Sequence, residues 1–174
     1  MVKDNQMSSS NSITIFHQNI CGFKRKTDEF ISSMFPDFLY ILCFSEHQLK
    51  KPELDQINVH GYRLCAAYCR QVVKRGGVCI FVKKKLKYSN TDLDKYCKDQ
   101  DTEGCVLKLK STFFNVCIMA VYRAPTGNFN LFLNRLDDII KTLYKVELRL
   151  IICGEINVHY LTDNDKKDNL MQCF

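Results

Sequence analysis

The run Leu150-Ile151-Ile152-Cys153-Gly154-Glu155-Ile156-Asn157-Val158-His159 constrains this chain more than any other stretch. An apolar strand stops at a glycine and delivers an acid, an asparagine and a histidine together. Two upstream runs end in the same way: Phe16-His17-Gln18-Asn19 closes a first apolar run, and Cys43-Phe44-Ser45-Glu46 closes a second. Strands that are apolar throughout are covered on both faces. Polar groups gathered at the ends of such strands are the usual layout of an α/β site.

The rest of the chain supplies the layers around these strands. Residues 1–12 are polar and serine-rich and read as a disordered leader, which leaves 13–174 as one domain. Ile13 to Asn19 reads as a strand, and Thr27 can cap a helix that runs to about Phe35. Phe38 to Ser45 is a second strand, followed by a loop over 49–58 with a turn at Pro52. Tyr62 to Ala67 and Gly77 to Val82 are further strands, bent apart at Arg75-Gly76-Gly77. Glu103 to Lys110 and Phe113 to Tyr122 read as strands, and Arg123 to Asn128 as a turn-rich loop. Phe129 to Tyr144 carries Phe132, Leu136, Ile139, Ile140 and Leu143 at helical spacing. Leu148 to Cys153 is the last strand, and the charged tail 162–168 reads as loop. The order argues for α/β architecture, a two-sheet β-sandwich flanked by helices.

Charge and cysteine bound the surroundings. The chain carries 25 Lys+Arg against 19 Asp+Glu, a net charge of +6. The excess gathers in Lys24-Arg25-Lys26, Lys74-Arg75 and Lys83-Lys84-Lys85-x-Lys87, clusters able to neutralise nucleic-acid phosphates. Of the 10 cysteines, Cys43, Cys79, Cys117 and Cys153 lie inside apolar runs, and no secretory signal precedes them, so reduced thiols and an intracellular protein, nuclear or cytoplasmic, are expected. No matching Cys or His pair follows Cys65 and Cys69 at zinc spacing. No apolar run approaches the roughly 20 residues of a membrane span.

Taken in order, Gln18-Asn19 with Gly22, Ser45-Glu46, Arg75-Gly76-Gly77, Val121-Tyr122-Arg123-Ala124-Pro125 and Gly154-Glu155-x-Asn157 resemble the endonuclease/exonuclease/phosphatase superfamily (DNase I-like). More narrowly, they resemble the apurinic-type endonuclease domain of non-LTR (LINE-like) retrotransposons. The resemblance covers about residues 13–160. It implies Mg²⁺ (or Mn²⁺) held by Glu46 and Asn19, with Tyr122 and Asn157 donating to the phosphate and Glu155 orienting the attacking water. It also implies Arg123 on a backbone phosphate; Lys24 and Arg25 add nucleic-acid contacts through their charge. DNA is the implied substrate. A monomer without membrane association is expected, with a reverse transcriptase encoded downstream in the parent element.

Two departures bear on activity. The family carries Asp where this chain has Glu155, and a displacement near 1 Å can cost catalysis about a hundredfold; Glu155→Asp is therefore expected to raise cleavage. The family's later Ser-Asp-His motif has no counterpart before Phe174, so the domain is expected to be incomplete at its C-terminus, with a sheet edge left open. Three functions follow: a Mg-dependent endonuclease nicking DNA, a catalytically dead nucleic-acid-binding remnant, and a phosphatase of the same superfamily.

Overall fold

The computed structural model describes residues 12–23, 39–110, 115–144, 148–159 and 165–172. The expected helix near Thr27, the residues Lys24 and Arg25, and the leader up to residue 11 lie outside the described residues.

Two four-stranded sheets form the molecule. The first is ordered β1 (Ile15–Asn19), β2 (Ile41–Ser45), β4 (Val78–Lys83), β3 (Tyr62–Tyr68). The second is ordered β5 (Tyr88–Thr91), β6 (Glu103–Lys110), β7 (Asn115–Tyr122), β8 (Arg149–Glu155). Each sheet has one parallel pair, β1 with β2 and β7 with β8; the other pairings are antiparallel. The C-terminal ends of the parallel strands share one pole of the sandwich, where β1 meets β8 and β2 meets β7.

Period-two alternation assigns the faces. Ile41 and Cys43 of β2 and Ile118 and Ala120 of β7 point between the sheets and form the central core with Ile80, Val82 and Leu107. Leu42 and Phe44 point outward and pack with Phe23 and Phe81, whose rings meet Phe44 edge-on at 5.2 and 6.1 Å. Beneath the outer face of the second sheet lies α2 (Phe129–Leu143), which buries Phe129, Phe132, Leu136, Ile139 and Leu143. Its cap is Asn128, whose side chain accepts from the Leu131 amide at 3.0 Å.

Three local expectations change. The segment read as a loop around Pro52 contains a one-turn helix, α1 (Lys51–Leu54): Pro52 sits in the first turn, where its missing N–H costs nothing, and the Glu53 carboxylate accepts the Lys50 amide at 2.9 Å. The polar stretch 88–91 forms β5, which the pairing with Val106 to Leu109 imposes and no apolar pattern announces. The charged tail forms α3 (Asp165–Met171), which buries only Leu170.

Candidate active site

Alternation also places the polar strand ends. Asn19 follows Ile15 and His17 on the inter-sheet face of β1, Tyr122 follows Ile118 and Ala120 on β7, and Glu155 follows Ile151 and Cys153 on β8. Three polar side chains therefore leave the apolar core at one rim. Glu46, one residue beyond β2, joins them through a left-handed backbone at φ 55°.

These four residues touch. The Asn19 amide donates to Glu46 Oε1 at 3.1 Å and also to Glu155 Oε2. The Tyr122 phenol donates to the same Glu46 oxygen at 2.8 Å. Asn19 Oδ1 accepts the Cys21 amide at 3.0 Å, which fixes the side-chain amide with its nitrogen toward the carboxylates. Asn19, expected as a cation ligand, is thus a donor bridging the two acids. Burial pushes the Tyr122 phenol well above its usual value, and the Glu46 carboxylate it donates to adds to the effect, so Tyr122 stays a proton donor through neutral pH.

Two carboxylates from separate sheets converge with one amide and one phenol as donors. The carboxylate pair suits a hard divalent cation, which takes oxygen ligands and often only one or two carboxylates, filling its shell with water and substrate phosphate. Among the described residues no group of three or more His, Cys, Asp or Glu forms a denser metal site.

The backbone around the cluster is unusual. Among the described residues, five of the six non-glycine residues with left-handed φ are Cys21, Glu46, Gln48, Arg75 and Asn157, all in the loops that ring it. Such residues cost on the order of 1 kcal/mol each and gather where a site over-determines the chain. Gly154 answers a different demand: it stands against Val121 at φ 151°, and an added Cβ would overlap the Val121 carbonyl. Glycine is what lets β8 approach β7 closely enough for Glu155 to reach Asn19.

Other expected site residues have other partners. Arg123, expected on a phosphate, is 1 % exposed. Its guanidinium donates to the carbonyls of Ile156, Gly127 and Asn157 at 2.8 to 2.9 Å and to Ala124 at 3.0 Å. It therefore holds the loop after β8, and its burial removes it from a backbone phosphate. The Asn157 side chain completes that clamp by donating to the Arg123 carbonyl at 2.7 Å. His159 is exposed.

Sequence reasoning missed the shell behind the cluster. His17, two residues before Asn19, shares a 3.3 Å contact with Ser45 Oγ. Burial holds its imidazole below the usual value, and the nearby Glu155 charge opposes the shift. Arg70 and Glu103 form a buried ion pair at 2.5 Å, and Glu103 also accepts the amides of Gly77 at 2.6 Å and Gln100 at 2.9 Å. The Arg70 guanidinium lies 5.8 Å from the Tyr122 ring centroid. An added Cβ at Gly76 would overlap Arg70, and one at Gly77 the His47 ring, so the Gly-Gly pair makes room for these side chains. His47 itself is a strut: Nδ1 accepts the Leu49 amide at 3.1 Å and Nε2 meets the Tyr68 carbonyl at 3.0 Å. The fixed offset of Glu103 from Arg70 is not a pattern in one dimension, and only their pairing reveals it.

A cavity of about 440 Å³ opens beside Glu46, with Cys21, Gln48 and Arg75 on its walls. A larger one of about 780 Å³ lies among β3, β5 and β6 and includes none of the clustered residues. Of the four clustered residues, Glu46 lines the smaller cavity.

No protein-family model and no curated protein sequence matches the chain. Solved structures do match in shape. The endonuclease domain of TRAS1, a telomere-specific non-LTR retrotransposon, superposes with a TM-score of 0.72 at 15% identity over 92% of this chain and 70% of that one. A humanized D. rerio TDP2 gives 0.61 at 11% identity, covering 87% and 69%. An endonuclease/exonuclease/phosphatase family protein from Bacteroides thetaiotaomicron gives 0.59 at 13% identity, covering 92% and 68%. Two mixed sheets face to face, helices outside and polar strand ends at one rim: the chain has the fold of the endonuclease/exonuclease/phosphatase superfamily.

Proposed function

We propose that the chain hydrolyses phosphodiester bonds in DNA with Mg²⁺ (or Mn²⁺), nicking one strand as an endonuclease. The observation that carries this is the convergence of Asn19, Glu46, Tyr122 and Glu155 from four strand ends, two in each sheet. Glu46, which both Asn19 and Tyr122 contact, is the residue to hold the cation. When bound, such an ion withdraws charge from the scissile phosphate and stabilises the departing oxygen.

The remaining steps belong to the chain itself. Tyr122 presents a phenol that keeps its proton and can donate to a phosphate oxygen as charge develops there. Glu155 orients a water for in-line attack. Asn19 holds the two like-charged acids in register. Arg123 and Asn157 lock the loop that follows Glu155 and act by positioning. The protein is read as a monomer acting on DNA, encoded together with a reverse transcriptase.

The test is purified protein with supercoiled plasmid in Mg²⁺, Mn²⁺ or EDTA, beside Glu46→Gln. Metal-dependent nicking that Glu46→Gln abolishes supports the proposal. Binding without nicking assigns an inactive nucleic-acid-binding domain instead, and hydrolysis of phosphomonoesters with intact plasmid assigns a phosphatase.

A further inference from the structure

The pole opposite the carboxylates carries its own signal. It is built from the N-terminal ends of β1, β2, β3 and β8 and the C-terminal ends of β4 and β6, as the contacts Tyr40 N–Thr14 O, Lys83 N–Tyr40 O and Lys84 N–Gly61 O show. The segments 12–15, 39–41, 60–63, 82–89, 107–110 and 148–150 contain no Asp or Glu. They do contain Arg63, Lys83, Lys84, Lys85, Lys87, Lys108, Lys110 and Arg149. Setting these eight aside leaves 17 basic residues against 19 acids, so they exceed the whole net charge of +6. Among the described strand ends and turns, these segments carry positive charge with no acid among them.

The cluster is held in place. The turn from Lys83 to Leu86 closes with a 3.0 Å hydrogen bond, and Arg63 Nη2 donates to the carbonyls of Lys84 at 2.5 Å and Leu86 at 2.9 Å. Lys85 lies 5.1 Å from the Tyr40 ring centroid and Arg63 5.3 Å from that of Tyr88. Lys84, Lys85 and Lys87 are exposed or nearly so and make no ion pair with a described carboxylate. Fixed cations, side by side, with half-buried tyrosine rings between them, suit a repeating phosphate backbone. None of these segments adds an exposed large aliphatic side chain of the kind that would enter a lipid surface.

We infer that the Lys83–Tyr88 turn, with Arg63 and Arg149, is a second nucleic-acid-binding surface, separate from the carboxylate site. Five residues of strand set the two poles roughly 16 Å apart or more at ~3.3 Å per residue. The second surface therefore engages a different segment from the one at Glu46, either a distant stretch of the same molecule or another strand. This binding does not depend on the hydrolytic proposal.

The experiment is fluorescence anisotropy with a labelled single-stranded RNA, the matching single-stranded DNA and the duplex, each from about 50 to 200 mM salt. The chain carries Glu46→Gln to prevent cleavage and is compared with and without Lys84→Glu, Lys85→Glu and Lys87→Glu. Loss of three phosphate contacts is expected to weaken binding at least tenfold. It should also flatten the log affinity against log salt slope by about 2 to 3, at 0.7 per single-strand contact or 0.9 per duplex contact. The same charge change at Lys95, Lys141 and Lys166, elsewhere on the fold, should leave most of the affinity. Lys→Arg at 84, 85 and 87 should restore it, which separates lost charge from lost folding. The nucleic acid giving the largest loss is the one this pole takes. Equal losses from both Lys→Glu triples, an unchanged salt slope, or binding to phosphatidylserine vesicles and to none of the nucleic acids would overturn the inference.

Discussion

The inner strands β2 and β7 and the outer strands β1 and β8 contribute equally to the cluster but are built differently. Every residue of β2 is buried, as are Val116 to Tyr122 of β7, whereas β1 and β8 are mostly half-exposed. Glu46 and Tyr122 come from the first pair, Asn19 and Glu155 from the second. Buried strands packed on both sides have little room to shift. Strands covered on one side depend on specific contacts to hold their ends. The inner pair thus sets the position of the site, and the Asn19 bridge and the Arg123–Asn157 clamp bring the outer pair to it.

The largest expected effect tests that contrast in stability. Ile118→Ala, at a residue with 0 % exposure, should cost about 4 kcal/mol in urea unfolding, and Ile151→Ala on the half-exposed β8 about 1 to 2 kcal/mol. Equal costs would break the comparison. Glu46→Gln should next lower nicking by roughly 10² to 10³, measured as initial rate on plasmid, because charge at the reacting centre is lost from a fixed position. If the rate is unchanged, the inner acid does not serve the chemistry.

Glu155→Asp sharpens the comparison at the outer edge. The sequence alone argued that the shorter acid would raise cleavage. The structure gives the opposite expectation: Glu155 meets Asn19 across the gap between sheets, a contact the shorter acid would give up. Shortening it should lower cleavage about tenfold, within the cost of a ~1 Å displacement. A faster Glu155→Asp enzyme would show that the Asn19 contact restrains the acid unproductively.

The smallest effect concerns the loop between β3 and β4, which flanks the inner strands. The Asp99 carboxylate accepts amides from Gln71, Val72 and Val73 at 2.9 to 3.2 Å and the Tyr68 hydroxyl at 2.8 Å. Burial raises its carboxyl, but these hydrogen bonds outweigh burial and hold it below the usual carboxylate range. A lowered acid contributes stability above its unfolded pKa near 3.9 and loses it as pH falls further. Asp99→Asn should therefore cost about 1 kcal/mol near pH 7, with the gap to wild type closing below about pH 4 in urea midpoints. A gap that persists in acid would assign the loss to shape and not to charge.

Much of this site was legible in one dimension. Apolar runs named most of the strands and marked Asn19, Glu46, Tyr122 and Glu155 at or just beyond their ends, and helical spacing located α2 almost to the residue. The resemblance of the ordered motifs gave the fold. Arg123 was misjudged because an arginine beside a turn reads as exposed, and its burial depends on carbonyls supplied by the loop after β8, more than 30 residues away. The bridge that Asn19 makes between the two acids was not foreseen, because the orientation of an amide is decided by its neighbours. Arg70 and Glu103 were not singled out at all, since neither ends an apolar run.

The sequence by itself determined which segments are apolar, where each stops and where the charge excess lies, because those follow from side-chain chemistry along a local period. Only the tertiary structure decided that a strand end in one sheet meets its counterpart in the other, that two acids share one amide, and that the Lys83–Lys87 cluster lies at the far pole from them. Those outcomes depend on sheet order and on packing between residues up to 136 positions apart, and no local period carries that information.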